Sequence, residues 1–257
     1  MIRLESLTKR YGTFTAVHPM DLHVRRGELF GFLGPNGAGK TTTIRMIAGV
    51  LRPTAGRVVI GGHDMATDPI EAKRRIGYIP DRPFVYDKLT GAEFLRFVGG
   101  LWGQSGPELE ERAADLLELF ELDRWKDTLV ESYSHGMRQK LLISSALVHR
   151  PELIVVDEPM VGLDPKAARL IKDLLRAFTS QGGTVFLSTH TLEVAEALCD
   201  RIAILNGGRI QAIGTMDELR RQAEAGEAGL EEIFLKLTGG EAVAELVASL
   251  MPTTVEA

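Results

Sequence analysis

The sequence predicts an α/β fold with a mostly parallel sheet, a β-rich N-terminal part and an inserted α-helical part. The first observation is that wholly apolar runs alternate with amphipathic stretches of helical spacing after residue 150. Strands that are apolar throughout are typical of parallel sheets covered on both faces by helices. The second observation is a long stretch of helical patterning that precedes this alternation. With 257 residues, the chain can bury the core of one large domain or of two closely packed parts.

Apolar periodicity and turn residues place the individual elements. Residues 1–33 are β-rich, with a turn near Tyr11 and a buried strand at 29–33. A helix is expected at 42–48, and a short strand and polar helices are expected after the turn at 206–208. Further strands are expected at residues 57–60, 76–79, 153–156, 184–188 and 202–205, and further helices at 69–73, 165–178 and 191–199.

Residues 90–148 are expected to be wholly helical. Thr90 and Glu93 have the spacing of a capping box, in which the two residues satisfy each other's backbone N–H groups. Pro107 is well placed to begin a second helix, because its fixed φ suits the first helical position. An apolar stripe marks the first of these helices, at Phe94, Phe97, Val98 and Leu101.

This helical stretch separates two β-containing halves. We therefore expect a helical subdomain of about residues 82–150, inserted in a domain that spans residues 1–240. A tail at 241–257 follows, with four apolar residues on one helical face. Such a face either binds a partner chain or folds back on its own domain.

The composition is that of an ordinary globular protein, 44% hydrophobic and 25% charged. The net charge of −5 gives no support for a polyanion-binding surface, so nucleic acid is not an expected partner. No apolar run approaches the length that crosses a bilayer, and the first residues do not resemble a signal peptide. The single cysteine, Cys199, suits a reducing cytosol and is expected to be a packed thiol.

A glycine-rich segment, GPNGAGKT at residues 34–41, fits the phosphate-loop pattern G-x-x-x-x-G-K-[ST]. It lies between a predicted strand and a predicted helix, so backbone N–H groups and the positive end of the helix dipole point at one spot. In such a loop Lys40 neutralises phosphate charge and the Thr41 hydroxyl holds Mg²⁺. The sequence therefore predicts a nucleoside triphosphate site.

Two carboxylates, Asp157 and Glu158, directly follow the predicted strand at 153–156. Ligands collect at this edge of open α/β sheets, and the same sheet is expected to carry the phosphate loop. Asp157 suits Mg²⁺ coordination, direct or through water, whereas Glu158 suits the polarisation of an attacking water. His190 also lies just beyond a strand end, where it either contacts the γ-phosphate and the water or is structural.

Two further residues leave alternatives open. Tyr11 either stacks on a purine ring or covers the edge of a strand. Ser134 stands just before an apolar helix, where serine is an ordinary N-cap. The N-terminus of a helix also binds anions, so Ser134 is a candidate for a second phosphate contact.

The order of these segments resembles the nucleotide-binding subunit of ATP-binding cassette (ABC) transporters. The matching segments are the phosphate loop, the helical insert, a Ser-x-Gly helix start at 134–136, LIVVDEP at 153–159, GLDP at 162–165 and STH at 188–190. The resemblance extends from about residue 2 to residue 240. It implies a P-loop NTPase core, an N-terminal antiparallel β subdomain and an inserted helical subdomain, with ATP and Mg²⁺ as its cofactors.

The resemblance also assigns a role to each matching residue. Tyr11 would stack on adenine, Asp157 would be the Walker B aspartate, and Glu158 would be the general base. Asp164 would be the D-loop residue and His190 the switch histidine. The phosphates and Mg²⁺ would be held by Gly34, Asn36, Gly37, Ala38, Gly39, Lys40, Thr41 and Thr42.

Two positions depart from the family pattern. Asp81 stands where the family usually has glutamine; it keeps an oxygen for Mg²⁺ or water, but has a shorter reach and adds a negative charge. The usual signature Leu-Ser-Gly-Gly-Gln is YSHGM here, at residues 133–137. Ser134 and Gly136 keep the hydroxyl and the bare N–H that would meet a γ-phosphate, whereas His135 places a Cβ where glycine is usual. Similar variants are common in the exporter-type branch of the family.

In this family two cassettes pair head to tail. The resemblance therefore implies that Ser134 and Gly136 of one chain close over ATP held by Lys40 of a second chain, identical or closely paralogous. The pore is expected in a separate permease, which would hold this chain on the cytoplasmic face of the membrane. The expected docking groove lies near Asp81 and the helical insert; its apolar candidates, each equally suited to the core, are Phe84, Val85, Tyr86, Leu89 and Trp102.

The first functional hypothesis is thus an ATP-hydrolysing motor subunit coupled to a permease, for export. The second is a soluble ABC-type ATPase that acts on ribosomes or nucleic acid. The net negative charge disfavours it, and so does the single compact cassette, because such relatives generally join two cassettes in one chain or carry long inserted arms. The third is a GTP-binding switch, but the sequence has no Asn-Lys-x-Asp or Thr-Lys-x-Asp guanine motif.

Overall fold

Two β-sheets organise the part of the chain that the computed structural model describes, residues 1–82, 84–224, 226 and 228–238. The strands, in chain order, are β1 (Ile2–Tyr11), β2 (Phe14–Val24), β3 (Leu29–Leu33), β4 (Ala55–Ile60), β5 (His63–Asp64), β6 (Ile76–Ile79), β7 (Leu153–Asp157), β8 (Thr184–Thr189), β9 (Arg201–Asn206) and β10 (Arg209–Gly214). The helices are α1 (Lys40–Ile47), α2 (Pro69–Arg74), α3 (Gly91–Leu101), α4 (Pro107–Leu119), α5 (His135–Leu147), α6 (Pro165–Ser180), α7 (Leu192–Leu198), α8 (Met216–Gln222) and α9 (Leu230–Thr238).

The N-terminal sheet is antiparallel, in the order β2-β1-β4-β5. The second sheet has the order β10-β9-β3-β8-β7-β6. Its neighbouring strands are parallel except at the edge, where β10 pairs antiparallel with β9. The predicted fold class, a mostly parallel sheet with an antiparallel N-terminal subdomain, is confirmed.

The three central strands of the parallel sheet, β3, β8 and β7, are buried along their whole length. On one face, Phe30 and Phe32 pack with Phe186 under α1 and the N-terminal sheet, with ring centroids 5.7 and 5.1 Å from that of Phe186. Each fully buried side chain of this size stabilises the fold by about 1.5–3 kcal/mol. The sheet is therefore a rigid support for the loops that follow its strands.

The other face of the sheet packs against the helical insert. Leu142 of α5 and Phe120 share one apolar cluster with Ile154 and Val156 of β7. The capping box of Thr90 is present at the start of α3, as the spacing predicted. The division into a domain of residues 1–240 and an insert of about 82–150 stays a prediction, and the tail at 241–257 lies outside the described residues.

The expectation that residues 90–148 are wholly helical is wrong between α4 and α5. Glu121 has a φ of +59°, a left-handed conformation that ends α4. Two single 3₁₀ turns follow, Asp123–Trp125 and Val130–Ser132. Buried Leu122 and Val130 anchor this stretch to the core, so the apolar pattern here marks a packed connection rather than a helix.

Candidate functional site

The phosphate loop, residues 34–39, joins β3 to α1, and its glycines are sterically required. Gly37 and Gly39 have φ values of +81° and +99°, a region that side chains rarely adopt. A Cβ on Gly34 would lie 2.6 Å from the carbonyl oxygen of Leu205, and one on Gly39 would lie 2.7 Å from that of Ala16. The loop is thus packed tightly on neighbouring backbone.

Asn36 and Gly37 form the exposed tip of this loop, whereas Ala38 is buried beneath it. Ala38 donates its N–H to the Pro35 carbonyl at 3.1 Å, and its own carbonyl accepts from Gly208 at 3.1 Å. The turn between β9 and β10 therefore supports the loop from below.

The ammonium of Lys40 is folded under the loop and is only 8% exposed. It donates to the carbonyl oxygens of Gly34 at 2.6 Å and Pro35 at 3.2 Å. Burial lowers the pKa of Lys40, and the negative charges of Glu158 and Asp157 oppose that shift. The site therefore has one buried cation facing two carboxylates.

Thr41 and Asp157, each expected from the sequence to hold Mg²⁺, are hydrogen-bonded to each other. The Thr41 hydroxyl, in the first turn of α1, donates to Asp157 Oδ2 at 3.0 Å. Asp157 ends β7 and is 2% exposed. Burial raises the pKa of its carboxyl and the charges of Asp81 and Glu158 add to that shift, whereas the hydrogen bond from Thr41 opposes it. This carboxylate therefore favours a cation beside it.

Glu158 leaves β7 in a left-handed conformation, with a φ of +50°. Its N–H donates to the Ser188 carbonyl at 2.9 Å, which fixes the start of the turn. Its carboxylate is held from two sides: His190 Nδ1 lies 2.7 Å from Oε1, and the Thr189 hydroxyl donates to Oε2 at 3.2 Å. The sequence predicted that Glu158 and His190 lie at the same edge of the sheet. It gave no role to Thr189, although Thr189 is the middle residue of the matching Ser-Thr-His segment.

The structure places Tyr11 and Asp81 at the margins of this group. Tyr11 ends β1, is 49% exposed, and has the Lys9 ammonium 5.2 Å from its ring centroid. Asp81 is exposed two residues beyond β6, and its charge acts on Asp157. The roles in adenine stacking and Mg²⁺ binding stay predictions.

Ser134 is the N-cap of α5, and its hydroxyl accepts from the Met137 N–H at 3.3 Å. His135 begins the helix without a left-handed backbone. Its ring packs against Gly162, where an added Cβ would lie 2.8 Å from the ring carbon Cδ2. The Cβ at 135 is thus accommodated without strain. Around a Cβ on Gly136, the nearest atom would be a methyl of Leu163, 3.8 Å away, so this N-terminus is open.

Asp164, the predicted D-loop residue, is the N-cap of α6. It accepts from the Ala167 N–H at 2.9 Å, and this hydrogen bond lowers the pKa of its carboxyl. Ser134 and Asp164 thus both cap helices whose starts meet at the contact of His135 with Gly162. Among the described residues, no side-chain hydrogen bond joins either cap to the phosphate loop.

The chain matches known proteins over most of its length. Residues 17–161 match the family model described as ABC transporter. It is 39% identical, over 85% of its length and 70% of the relative, to the linearmycin resistance ATP-binding protein of Bacillus subtilis (strain 168). It is 43% identical, over 85% of its length and 66% of the relative, to the daunorubicin/doxorubicin resistance ATP-binding protein of Streptomyces peucetius. It is 39% identical, over 85% of its length and 68% of the relative, to the Nod factor export ATP-binding protein I of Ralstonia nicotianae.

Solved structures agree with these sequence matches. An ATP-binding subunit of an ABC transporter superposes with a TM-score of 0.88 at 36% identity, covering 92% of this chain and 99% of the other. A dimeric cassette in a post-hydrolysis state with ADP and Pi superposes with a TM-score of 0.77 at 28% identity, covering 84% of this chain and 99% of the other. The chain therefore belongs to the ABC transporter family, as an ATP-binding cassette with the ATPase domain of that family.

Proposed function

We propose that this chain is the ATP-hydrolysing motor subunit of an export-type ABC transporter, coupling the pairing of two cassettes to a separate permease. The observation that carries this proposal is the Glu158 carboxylate, held by His190 and Thr189 next to the pair of Asp157 and Thr41. The relatives named for drug resistance and for Nod factor export support export as the direction of transport.

Glu158 is the proposed general base. A carboxylate whose two oxygens already accept hydrogen bonds is fixed in orientation, and it can accept the proton of a water that attacks the γ-phosphate. Because the carboxylate is the acceptor, the contact at 2.7 Å assigns a proton to His190 Nδ1. A positioned general base of this kind contributes about 10²–10⁴-fold in rate.

The residues around Lys40 fit a magnesium triphosphate. Thr41 and Asp157 supply oxygen ligands of the kind that Mg²⁺ prefers, and Asp81 adds a carboxylate nearby. In the described part of the chain, no group of three His, Cys, Asp or Glu residues forms a metal cluster, as expected when waters and phosphates complete the coordination of Mg²⁺. Bound Mg²⁺ would neutralise phosphate charge, while Lys40 and the N–H groups at the start of α1 hold the phosphate oxygens.

The proposed ATP site is completed by a second chain. Ser134 and Gly136 form an open helix N-terminus, which is a favourable place for a γ-phosphate. The dimeric cassette with ADP and Pi supports such pairing. A phosphate that touches both chains favours the closed pair, and its hydrolysis removes that preference.

A separate permease is proposed to bind an exposed apolar patch, which we define as Phe84, Tyr86, Phe97 and Leu101. These side chains are 42–78% exposed, and the ring of Tyr86 packs edge-on against those of both Phe84 and Phe97. Of the residues expected in the groove, Val85 is in the core, Leu89 packs against it, and Trp102 stacks on His149. No described helix is long and apolar enough to span a membrane.

The catalytic part of the proposal is tested by steady-state ATP hydrolysis with the Glu158→Gln variant. We expect hydrolysis to fall by about 10²–10⁴-fold while ATP affinity is retained, because the amide keeps the shape but cannot accept the proton. Glu193→Gln, an exposed glutamate on nearby α7, is the matched control and should hydrolyse at the wild-type rate. A Glu158→Gln variant that turns over normally would refute the assignment.

The partner is tested by affinity capture from solubilised membranes of the source cells. We expect a multi-span membrane protein to co-purify, and Phe84→Asp to lose it because a buried, unpaired charge disfavours docking. Ile70→Asp is the control, since Ile70 is similarly exposed on α2, away from the apolar patch. Capture of ribosomes with both variants would instead favour the soluble ATPase hypothesis.

A further inference from the structure

The segment that carries the apolar patch is hydrogen-bonded directly to the stretch preceding α5. The carbonyl of Leu89 accepts from the Val130 N–H at 2.9 Å, and that of Asp87 accepts from the Glu131 N–H at 3.1 Å. Thr90 and Leu129 form an isolated antiparallel bridge beside them. Residues 87–90 and 129–131 therefore behave as a short two-stranded ladder.

Arg138, in α5, spans this ladder with all three of its guanidinium nitrogens. Nη1 donates to Asp87 Oδ1 at 2.8 Å, Nη2 to the Glu131 carbonyl at 3.0 Å, and Nε to the Tyr133 carbonyl at 3.2 Å. The planar guanidinium fixes the direction of every one of these bonds. The Arg138 side chain is 28% exposed and that of Asp87 is 52% exposed, so water screens the carboxylate side of this ion pair more than the guanidinium side.

The same residue is bonded to the proposed phosphate contact. The backbone N–H of Arg138 donates to the carbonyl of Ser134 at 3.0 Å, within the first turn of α5. The side chain of Arg138 also holds Tyr133, the residue immediately before Ser134. Asp87 is therefore connected to Ser134 through one residue, by the Arg138 side chain at Tyr133 and by the Arg138 backbone N–H at Ser134 itself.

We propose that Arg138 is a positioning residue that, through Asp87, links the apolar patch to the orientation of Ser134. This inference rests on the proposed function, because it gives the patch and Ser134 their roles. It adds a specific physical connection between them. Since coupling between two sites is reciprocal, closure of the ATP-bound pair around Ser134 should also change the surroundings of the patch.

A second ion pair provides the control for a purely structural role. Lys88 Nζ lies 2.5 Å from Glu131 Oε2 and joins the same two stretches, but the Lys88 side chain is 82% exposed. Removing Lys88 perturbs the ladder without touching Arg138. Removing the Asp87 side chain breaks the link to Arg138 and leaves the backbone ladder intact.

The experiment uses a fluorescent thiol label at Phe84→Cys in the Glu158→Gln chain. Phe84 is 78% exposed, whereas Cys199 packs against Gly31 and burial raises the pKa of its thiol, so labelling is selective. The emission change on adding ATP and Mg²⁺ is recorded, and sedimentation of the same samples gives the dimer fraction. We expect Asp87→Ala to reduce the emission change at least about threefold, Lys88→Ala to retain it, and Asp87→Glu to restore part of it.

Two results with the Asp87 and Lys88 variants would overturn the inference while leaving the proposed function intact. One is a full emission change in Asp87→Ala; the other is an equal loss in Lys88→Ala and Asp87→Ala. Absence of any emission change in a parent chain that dimerises would also overturn it. If the parent chain does not dimerise with ATP, the proposed function itself fails, which sedimentation distinguishes from the other outcomes.

Discussion

An alanine at Gly39 should destabilise the protein more than an alanine at Gly37, although both glycines lie in the phosphate loop. Both have left-handed φ values, +99° and +81°, which cost a residue with a Cβ about 1–2 kcal/mol. At Gly37 the added Cβ has no atom within 4 Å. At Gly39 it would lie 2.7 Å from the Ala16 carbonyl oxygen, so the backbone of β2 must also shift.

We expect Gly37→Ala to lower the free energy of unfolding by about 1–2 kcal/mol and Gly39→Ala by about 3 kcal/mol. In a chain of this size each kcal/mol lowers the Tm by about 2–4 °C, so Gly39→Ala should melt about 6–12 °C below the wild type. Thermal and urea unfolding without nucleotide measure both variants. Equal losses would refute the reasoning, because contact with Ala16 would then contribute nothing.

Three further predictions concern buried titratable groups. Asp157→Asn should stabilise the nucleotide-free chain at neutral pH, because burial raises the pKa of the carboxyl and its ionised form costs stability above that pKa; an unchanged urea midpoint would contradict this. Burial lowers the pKa of His149 in the folded chain, so its imidazole binds a proton more readily in the unfolded chain. The free energy of unfolding should therefore fall as pH drops below about 6.5. His149→Asn should make the free energy of unfolding less dependent on pH between pH 7.5 and 5.5. A variant profile as steep as that of the wild type would contradict this. Cys199 is half-buried and burial raises the pKa of its thiol, so it should react with a thiol reagent much more slowly in the native chain than after unfolding; equal labelling rates would contradict this.

The sequence predicted those parts of the fold in which a local pattern has a single solution. The strand at 29–33 and the strand that ends in Asp157 are apolar throughout, and both are fully buried. The phosphate loop was equally predictable, since the spacing of its glycines and lysine has few alternatives. The meeting of Glu158 with His190 followed from two strand ends sharing one sheet edge.

The sequence was insufficient where tertiary contacts decide the outcome. The connection between α4 and α5 has helical apolar spacing, but the left-handed Glu121 ends the helix. Thr189 lies just beyond the expected strand at 184–188, and only the fold brings its hydroxyl to Glu158.

Other assignments depend on a second chain and so cannot follow from one sequence or one subunit. Ser134 is a helix cap within its own chain, and its proposed contact with a γ-phosphate requires a partner. Tyr11 is exposed at a strand end, which is compatible with stacking on adenine and with covering a strand edge. Ser134 therefore carries the two-chain character of the proposed site, whereas the role of Tyr11 depends on a bound nucleotide.

The most direct test of the two-chain ATP site is sedimentation of the Glu158→Gln chain with and without ATP and Mg²⁺, compared with the same chain carrying Ser134→Asp. Aspartate preserves the cap of α5, so the helix should stay folded, but it places a negative charge where the γ-phosphate of the partner would bind. We predict that ATP converts the Glu158→Gln chain from monomer to dimer, whereas the Ser134→Asp chain binds ATP and stays monomeric. ATP-induced dimers that form equally well with either residue at position 134 would contradict the account.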